Sequence, residues 1–260
     1  MAHETAGNDI QSVARVAQIL ALFSPQRPTV SAAEAARLLG LNRSTATRYL
    51  ASLETTGLLR RNSQVSTTFE PGQALVQLGA FALGGLSVTS AAPPVMRRLS
   101  RATGHTVALS VWGATGPVVV HSENSVEWGA SVTVRVGTHL QMNAAQTRVF
   151  LAFHEDRMLV ERLVGTLEDQ VREETLTDIA SIRSGTMGQR VSNNGVSVFA
   201  APIFDTHGIC ASLGLLGTTT ALPLDSSPKE SALLMEAAQD LTRTLGGTWA
   251  PASEAPVAGR

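Results

Sequence analysis

The sequence predicts an α+β chain of two domains: an amino-terminal winged helix-turn-helix over residues 9–70, a linker helix over 71–85 and a larger α+β domain over 86–247, followed by a disordered tail at 248–260. Three observations predict this organisation. Two capped helices separated by a glycine precede a short basic hairpin, residues 71–96 carry no charge, and β-branched runs then mix with helical patterns up to a closing amphipathic helix. At 260 residues and 27.3 kDa the chain is long enough for each of two domains to bury its own core.

Val13, Val16, Leu20 and Phe23 recur at helical spacing, so Asp9 to Phe23 is expected to form the first helix, ended by Pro25 and Pro28. Ser31-Ala32-Ala33-Glu34 has the spacing of a capping box and opens a second helix, Ala32 to Leu39. Gly40 stops it, and Asn42 caps a third helix that runs to about Thr55. Leu58 to Arg61, the turn-prone Asn62-Ser63-Gln64 and Val65 to Phe69 read as a hairpin, or wing. After Pro71 and Gly72 an uncharged helix is expected from Gln73 to Leu83, with Leu75, Leu78 and Ala82 on one stripe; its lack of charge implies burial against a partner.

In the second domain a helix is expected at Pro94 to Ala102, and strands at Thr106 to Val111, Val118 to Ser122 and Ser131 to Val136. Helices follow at Ala144 to His154, Asp156 to Val164 and Leu176 to Ser184. Val196 to Phe204 and Ile209 to Leu216 form a strand pair across the turn Asp205-Thr206-His207-Gly208, and Pro228 to Leu245 closes the domain.

Composition excludes several function classes. The single cysteine, Cys210, rules out an internal disulfide and a cysteine-rich zinc module, and it reads as a small residue of a strand core. The six histidines show no metal-ligand spacing, and no nucleophile elbow, phosphate loop or dinucleotide fingerprint occurs, so neither catalytic residues nor a metal or cofactor are expected. The uncharged stretch at 71–96 is interrupted by glycines, prolines and polar residues and is read as helix and linker rather than a membrane span. Met1 to Asn8 is polar with an acid at Glu4, which gives no secretory pattern, and the expected location is the cytoplasm.

The net charge is only −1, but between Ser31 and Val65 five arginines stand against two acids. On the third helix Ala46, Leu50 and Leu53 point inward by spacing, leaving Arg43, Ser44, Thr45, Thr47 and Arg48 mainly outward. Arginine engages guanine or phosphate, and small hydroxyl residues let a helix approach the floor of the major groove. Arg60 and Arg61 of the wing are expected to anchor phosphates. Taken singly the hydroxyl residues are also what a solvated helix carries; joined to the capped helices and the basic wing they point to duplex DNA.

In these features the sequence resembles the IclR family of bacterial regulators. The resemblance is carried by Gln11-Ser12-Val13, Leu41-Asn42-Arg43-Ser44-Thr45 with Arg48, the run Leu53 to Arg61, and Phe69, Gly72, Leu75, Leu78 and Gly79. It continues in Gly137, Leu140 and Ala200-Ala201-Pro202-Ile203-Phe204-Asp205 with Gly208. It implies a winged-helix homodimer, often assembled into a tetramer; because one short helix reads too few base pairs and two-fold symmetry is mirrored in the operator, a pseudo-palindromic DNA site is expected. It also implies a GAF-like carboxy-terminal domain that holds a small-molecule effector beside a curved sheet. The polar pocket positions of the resemblance fall on Gln146, Thr147, Ser192, Val198, Gly214 and Leu216, with Val132 and Leu140 as apolar lining. Only Gln146, Thr147 and Ser192 of those six are polar here, and Met142 to Val149 is bulkier than the family pattern. An apolar or aromatic acid is therefore expected in place of a two- or three-carbon keto acid, with a ligand-independent regulator of occluded pocket as the alternative. Val198 and Leu216 read more readily as plain strand core than as ligand contacts.

Overall fold

The computed structural model describes residues 10–124, 132–185, 187–192 and 194–249. The chain divides into two compact units, Met1–Gly85 and Leu86–Arg260. The beginning of the first expected helix, at Asp9, and the tail from Ala250 onward lie outside the described residues, as does Ser131.

In the first unit α1 (Gln11–Leu20), α2 (Ala32–Leu39) and α3 (Arg43–Thr55) pack around Ile19, Val30, Ala35, Ala46, Leu50, Leu53, Leu59 and Phe69. The capping box is formed in full: the Ser31 hydroxyl accepts from Glu34 N–H, and the Glu34 carboxylate accepts from Ser31 N–H at 2.8 Å. Gly40 takes a left-handed conformation at φ 63°, which a β-carbon would strain, and so turns the chain between α2 and α3. The wing is a three-stranded antiparallel sheet in the order β1 (Val30–Ser31), β3 (Thr68–Pro71), β2 (Leu59–Arg61). The two-residue β1 is too short to leave a pattern in the sequence. The second wing strand begins at Thr68 rather than Val65, because the Asn62 side chain accepts from Gln64 and Val65 N–H and spends those residues on the turn. α4 (Gln73–Gly84) follows, and none of its residues is buried.

The second unit is built on a five-stranded antiparallel sheet in the order β5 (Pro117–Glu123), β4 (Thr106–Trp112), β8 (Gly208–Thr218), β7 (Val196–Asp205), β6 (Gly188–Val191). One face carries Val107, Leu109, Phe199, Ile203, Leu213 and Leu215 against α5 (Ser87–Thr103) and α9 (Pro228–Thr244). The other carries α6 (Ala145–Phe153), which packs with α7 (Arg157–Gly165), α8 (Asp169–Arg183) and Ala200. Trp249, the last described residue, stacks edge-on to Phe204 at 5.7 Å, so the expected disordered tail does not begin at residue 248.

Three expectations need correction. α5 starts at Ser87, not Pro94: Pro93 and Pro94 remove two N–H donors, yet the buried stripe Val88, Ala92, Met96 and Leu99 holds the helix on the sheet. α8 starts at Asp169, not Leu176, because its first two turns are charged and its buried stripe is only Thr175, Ile179 and Ile182. β6 has no counterpart among the expected elements, since a single valine is its only large apolar residue. No strand spans residues 132–136. The alternation of Val132, Val134 and Val136 puts the first two against an apolar cluster and leaves Val136 exposed, but the segment has no ladder partner. It is residues 137–140 that bond to β5, through Gly137 N–H to Val119 O and Leu140 N–H to Pro117 O, both 2.8 Å.

Candidate nucleic-acid interface and ligand-binding face

α3 presents its sequence-predicted residues on one side. Ala46, Leu50 and Leu53 are buried, and a turn of 100° per residue then leaves Arg43, Ser44, Thr47 and Arg48 exposed over less than half the circumference, with Thr45 at its margin. Asn42 fixes the start of this face: its side-chain oxygen accepts from Thr45 N–H at 2.8 Å and from the Ser44 hydroxyl at 2.9 Å. Thr47 donates to Arg43 O at 2.8 Å, which leaves its oxygen lone pairs turned outward as acceptors. Among the described residues neither the Arg43 nor the Arg48 guanidinium forms a hydrogen bond or ion pair, so both groups are available to an anionic partner.

The wing arginines stand differently. Arg60 pairs with Glu70 at 2.7 Å across the β2–β3 ladder. Arg61 lies 3.2 Å from Glu54, donates to Ser66 O at 2.8 Å and sits 4.7 Å over the Phe69 ring. Each is half exposed or more and still offers N–H groups outward, but its geometry is set by the domain.

On the sheet face that carries α6, the structure brings together most of the residues predicted to meet a ligand. Leu216, Ala108 and Val119 form a buried cluster on which Val132, Val134, Leu140, Val196 and Val198 pack. Thr106 Oγ1 donates to Val132 O at 2.5 Å and ties that segment to β4. Gln146 and Gly214 touch: the Gln146 amide lies over the strand position that has no side chain. Thr147 is fully buried and its hydroxyl donates to Gln141 O at 2.8 Å. Ser192 is exposed and shapes the β6–β7 turn, its oxygen accepting from Val196 N–H at 3.1 Å. Two polar candidates are thus engaged locally, and only Gln146 reaches into the layer between helix and sheet.

α6 begins without a cap. Its N-cap residue is Ala144, which has no side-chain oxygen, while Ala145, Gln146 and Thr147 are all buried. First-turn N–H groups have no intrahelical acceptor, so this buried helix start is a place where an anionic group would be stabilised.

Sequence reasoning missed Arg148. It is 1% exposed, its three guanidinium nitrogens have no hydrogen-bond partner, and the nearest counter-charge is Asp178 at 3.9 Å. Burial, and then the charge of Arg190, hold the guanidinium below its ordinary pKa, against the opposing pull of Asp178 and Glu174. Nothing in the local pattern distinguishes this arginine from a solvated one. Burial pushes the Cys210 thiol up to about 12, which keeps it protonated and unreactive. Among the described residues no group of histidine, cysteine and acidic side chains could hold a metal, and no single helix is long and apolar enough to cross a membrane.

Residues 12–63 match the IclR helix-turn-helix domain family, and residues 80–243 match the family of the bacterial transcriptional regulator IclR carboxy-terminal domain. The HTH-type transcriptional regulator XynR of Escherichia coli (strain K12) is 27% identical over 251 residues, covering 91% of this chain and 98% of the relative. The crystal structure of an IclR regulator from Silicibacter sp. TM1040 superposes with a TM-score of 0.81 at 21% identity, over 92% of this chain and 98% of that one. An IclR homolog from Microbacterium hydrocarbonoxydans, crystallised with 4-hydroxybenzoate, superposes with a TM-score of 0.70 at 21% identity, over 90% of this chain and 98% of that one.

Proposed function

The chain belongs to the IclR family of DNA-binding bacterial transcriptional regulators, and on that premise we propose that it acts in the cytoplasm as a homodimer on a pseudo-palindromic operator, under the control of an organic acid with an apolar or aromatic body. The observation that carries the DNA reading is the unpaired state of Arg43 and Arg48 on the exposed side of a capped helix. In such folds the second helix of the motif enters the major groove and the wing lies beside the backbone. Arg48, with Ser44 and Thr47, reads bases; Arg60 and Arg61, held by Glu70 and Glu54, meet phosphates. One short helix reads too few base pairs to be selective, so two copies related by a two-fold axis read two half-sites.

The effector reading rests on the apolar cluster beside the uncapped start of α6. An acid placed with its carboxylate at the Gln146 and Thr147 N–H groups would lay its body along Val132, Leu140, Val198 and Leu216, the usual division between a few polar contacts and an apolar wall. The relative crystallised with 4-hydroxybenzoate binds a ligand of this chemistry.

The test is a fluorescence titration of operator and random duplex at several salt concentrations. Arg48→Ala should cost about 1–3 kcal/mol on operator and relax preference at one position. Arg61→Ala should weaken all sequences alike and reduce the salt slope by about one. Equal losses on both duplexes for Arg48→Ala would move that residue to the backbone.

A further inference from the structure

We infer that Gln146 is the specificity-determining residue of the effector site: a plug, fitted to the notch at Gly214, that closes the sheet end of the site to compact acids. The inference rests on the effector reading above. Gln146 is 3% exposed, and its Nε2 donates to Ser212 O at 2.9 Å and Ala108 O at 3.3 Å, carbonyls of the neighbouring strands β8 and β4. A β-carbon on residue 214 would lie 2.8 Å from both Gln146 Cδ and Oε1 and 3.2 Å from Nε2. Gly214 has no positive φ, so its backbone would suit any residue; what the glycine supplies is room. Helix and strand are matched here, a long side chain on α6 against none on β8.

The match makes a wall rather than a gate. Swinging the amide away would strand its donors inside the protein, at a cost characteristic of unsatisfied buried polar groups. Thr147 and Ser192 offer no substitute, since the hydroxyl of one is spent on Gln141 O and the oxygen of the other shapes a turn. A ligand can therefore gain from the helix start only if its body extends away from Gln146, over Leu216, Val198, Val132 and Leu140. A two- or three-carbon acid covers too little of that surface to repay the loss of its hydration.

The experiment is calorimetric titration and thermal shift of the full-length chain with pyruvate, glyoxylate, benzoate and 4-hydroxybenzoate. The variants are Gln146→Gly, Gln146→Ser, Gly214→Ala and Gln146→Gly with Gly214→Ala. Benzoates should bind the unmodified chain and compact acids should not. Opening the notch by Gln146→Gly or, if that variant folds poorly, Gln146→Ser should tighten pyruvate or glyoxylate by about tenfold or more. Gly214→Ala pushes the amide off its carbonyls and should weaken benzoate, and adding Gln146→Gly should restore it. If benzoates bind and both Gln146 variants treat compact acids as the unmodified chain does, the plug is overturned and the effector reading stands. If only the Gln146 variants bind any acid, and those acids are the compact ones, the plug stands and the apolar-acid reading fails. Absence of binding by every form overturns both.

Discussion

At the scale of single residues, Arg148 is the least comfortable side chain in the chain. A guanidinium taken out of water costs several kcal/mol unless hydrogen-bonded carboxylates compensate, and here Asp178 stands 3.9 Å away with its own Oδ2 lacking a hydrogen bond. Arg148→Met, which keeps length and removes charge, is expected to leave stability unchanged or raise it by about 1–4 kcal/mol. Asp178→Ala, which removes the nearest counter-charge and leaves the guanidinium behind, should cost about 1–3 kcal/mol. Urea denaturation of the two variants checks this, and a large loss with Arg148→Met would show that an anion holds the group. The sequence named Gln146 and Gly214 separately as ligand-facing positions, but their contact joins a helix to a strand far along the chain and no local pattern encodes it. The outward set on α3 was legible, because helical periodicity alone sorts Arg43, Ser44, Thr47 and Arg48 from Ala46, Leu50 and Leu53.

At the scale of elements, the box that opens α2 links stability to pH. Bonds from the Ser31 backbone and hydroxyl, first and second in size, hold the Glu34 carboxyl below its ordinary value of 4.5. A carboxylate whose folded pKa is depressed contributes stability that is present above its unfolded pKa and is lost as pH falls through the folded one. The first unit should therefore lose this contribution below about pH 4.5, and Ser31→Ala, which costs about 1 kcal/mol at neutral pH, should lose less on acidification than the unmodified chain. Thermal melts of both proteins at pH 7 and pH 4 measure the difference, and parallel losses would refute it. Elements with such end signals were readable to the residue, as with α2, bounded by Ser31 and Gly40. Those without them were not: α5 runs through two prolines, α8 begins in charged turns, and β6 lacks an alternating pattern, since tertiary packing alone holds each in place.

At the scale of the whole molecule, the division into two units leaves α4 as an uncharged helix with no buried residue, on which Val76, Leu78 and Phe81 are 67%, 62% and 81% exposed. A helix apolar all round is stable in water only when something covers it, and a second copy of this chain is the proposed cover. Phe81→Glu should raise the dimer dissociation constant by between about a hundredfold and about ten-thousandfold, since burying each phenylalanine is worth about 1.5–3 kcal/mol and two copies are lost. Sedimentation at micromolar concentration checks this; an unchanged dimer would place the contact elsewhere. The order of the large sheet has a consequence for how the protein is made. β4 pairs with β5 on one side and with β8 on the other, and about 95 residues separate the end of β4 from the start of β8. At a ribosomal rate of about 5–20 residues per second, the β4–β5 hairpin waits about 5–20 s with one edge open while the first unit, already complete, is free to fold. Nascent chains halted between Glu123 and Gly208 should carry a protease-resistant first unit and a β4 edge that chaperones cover.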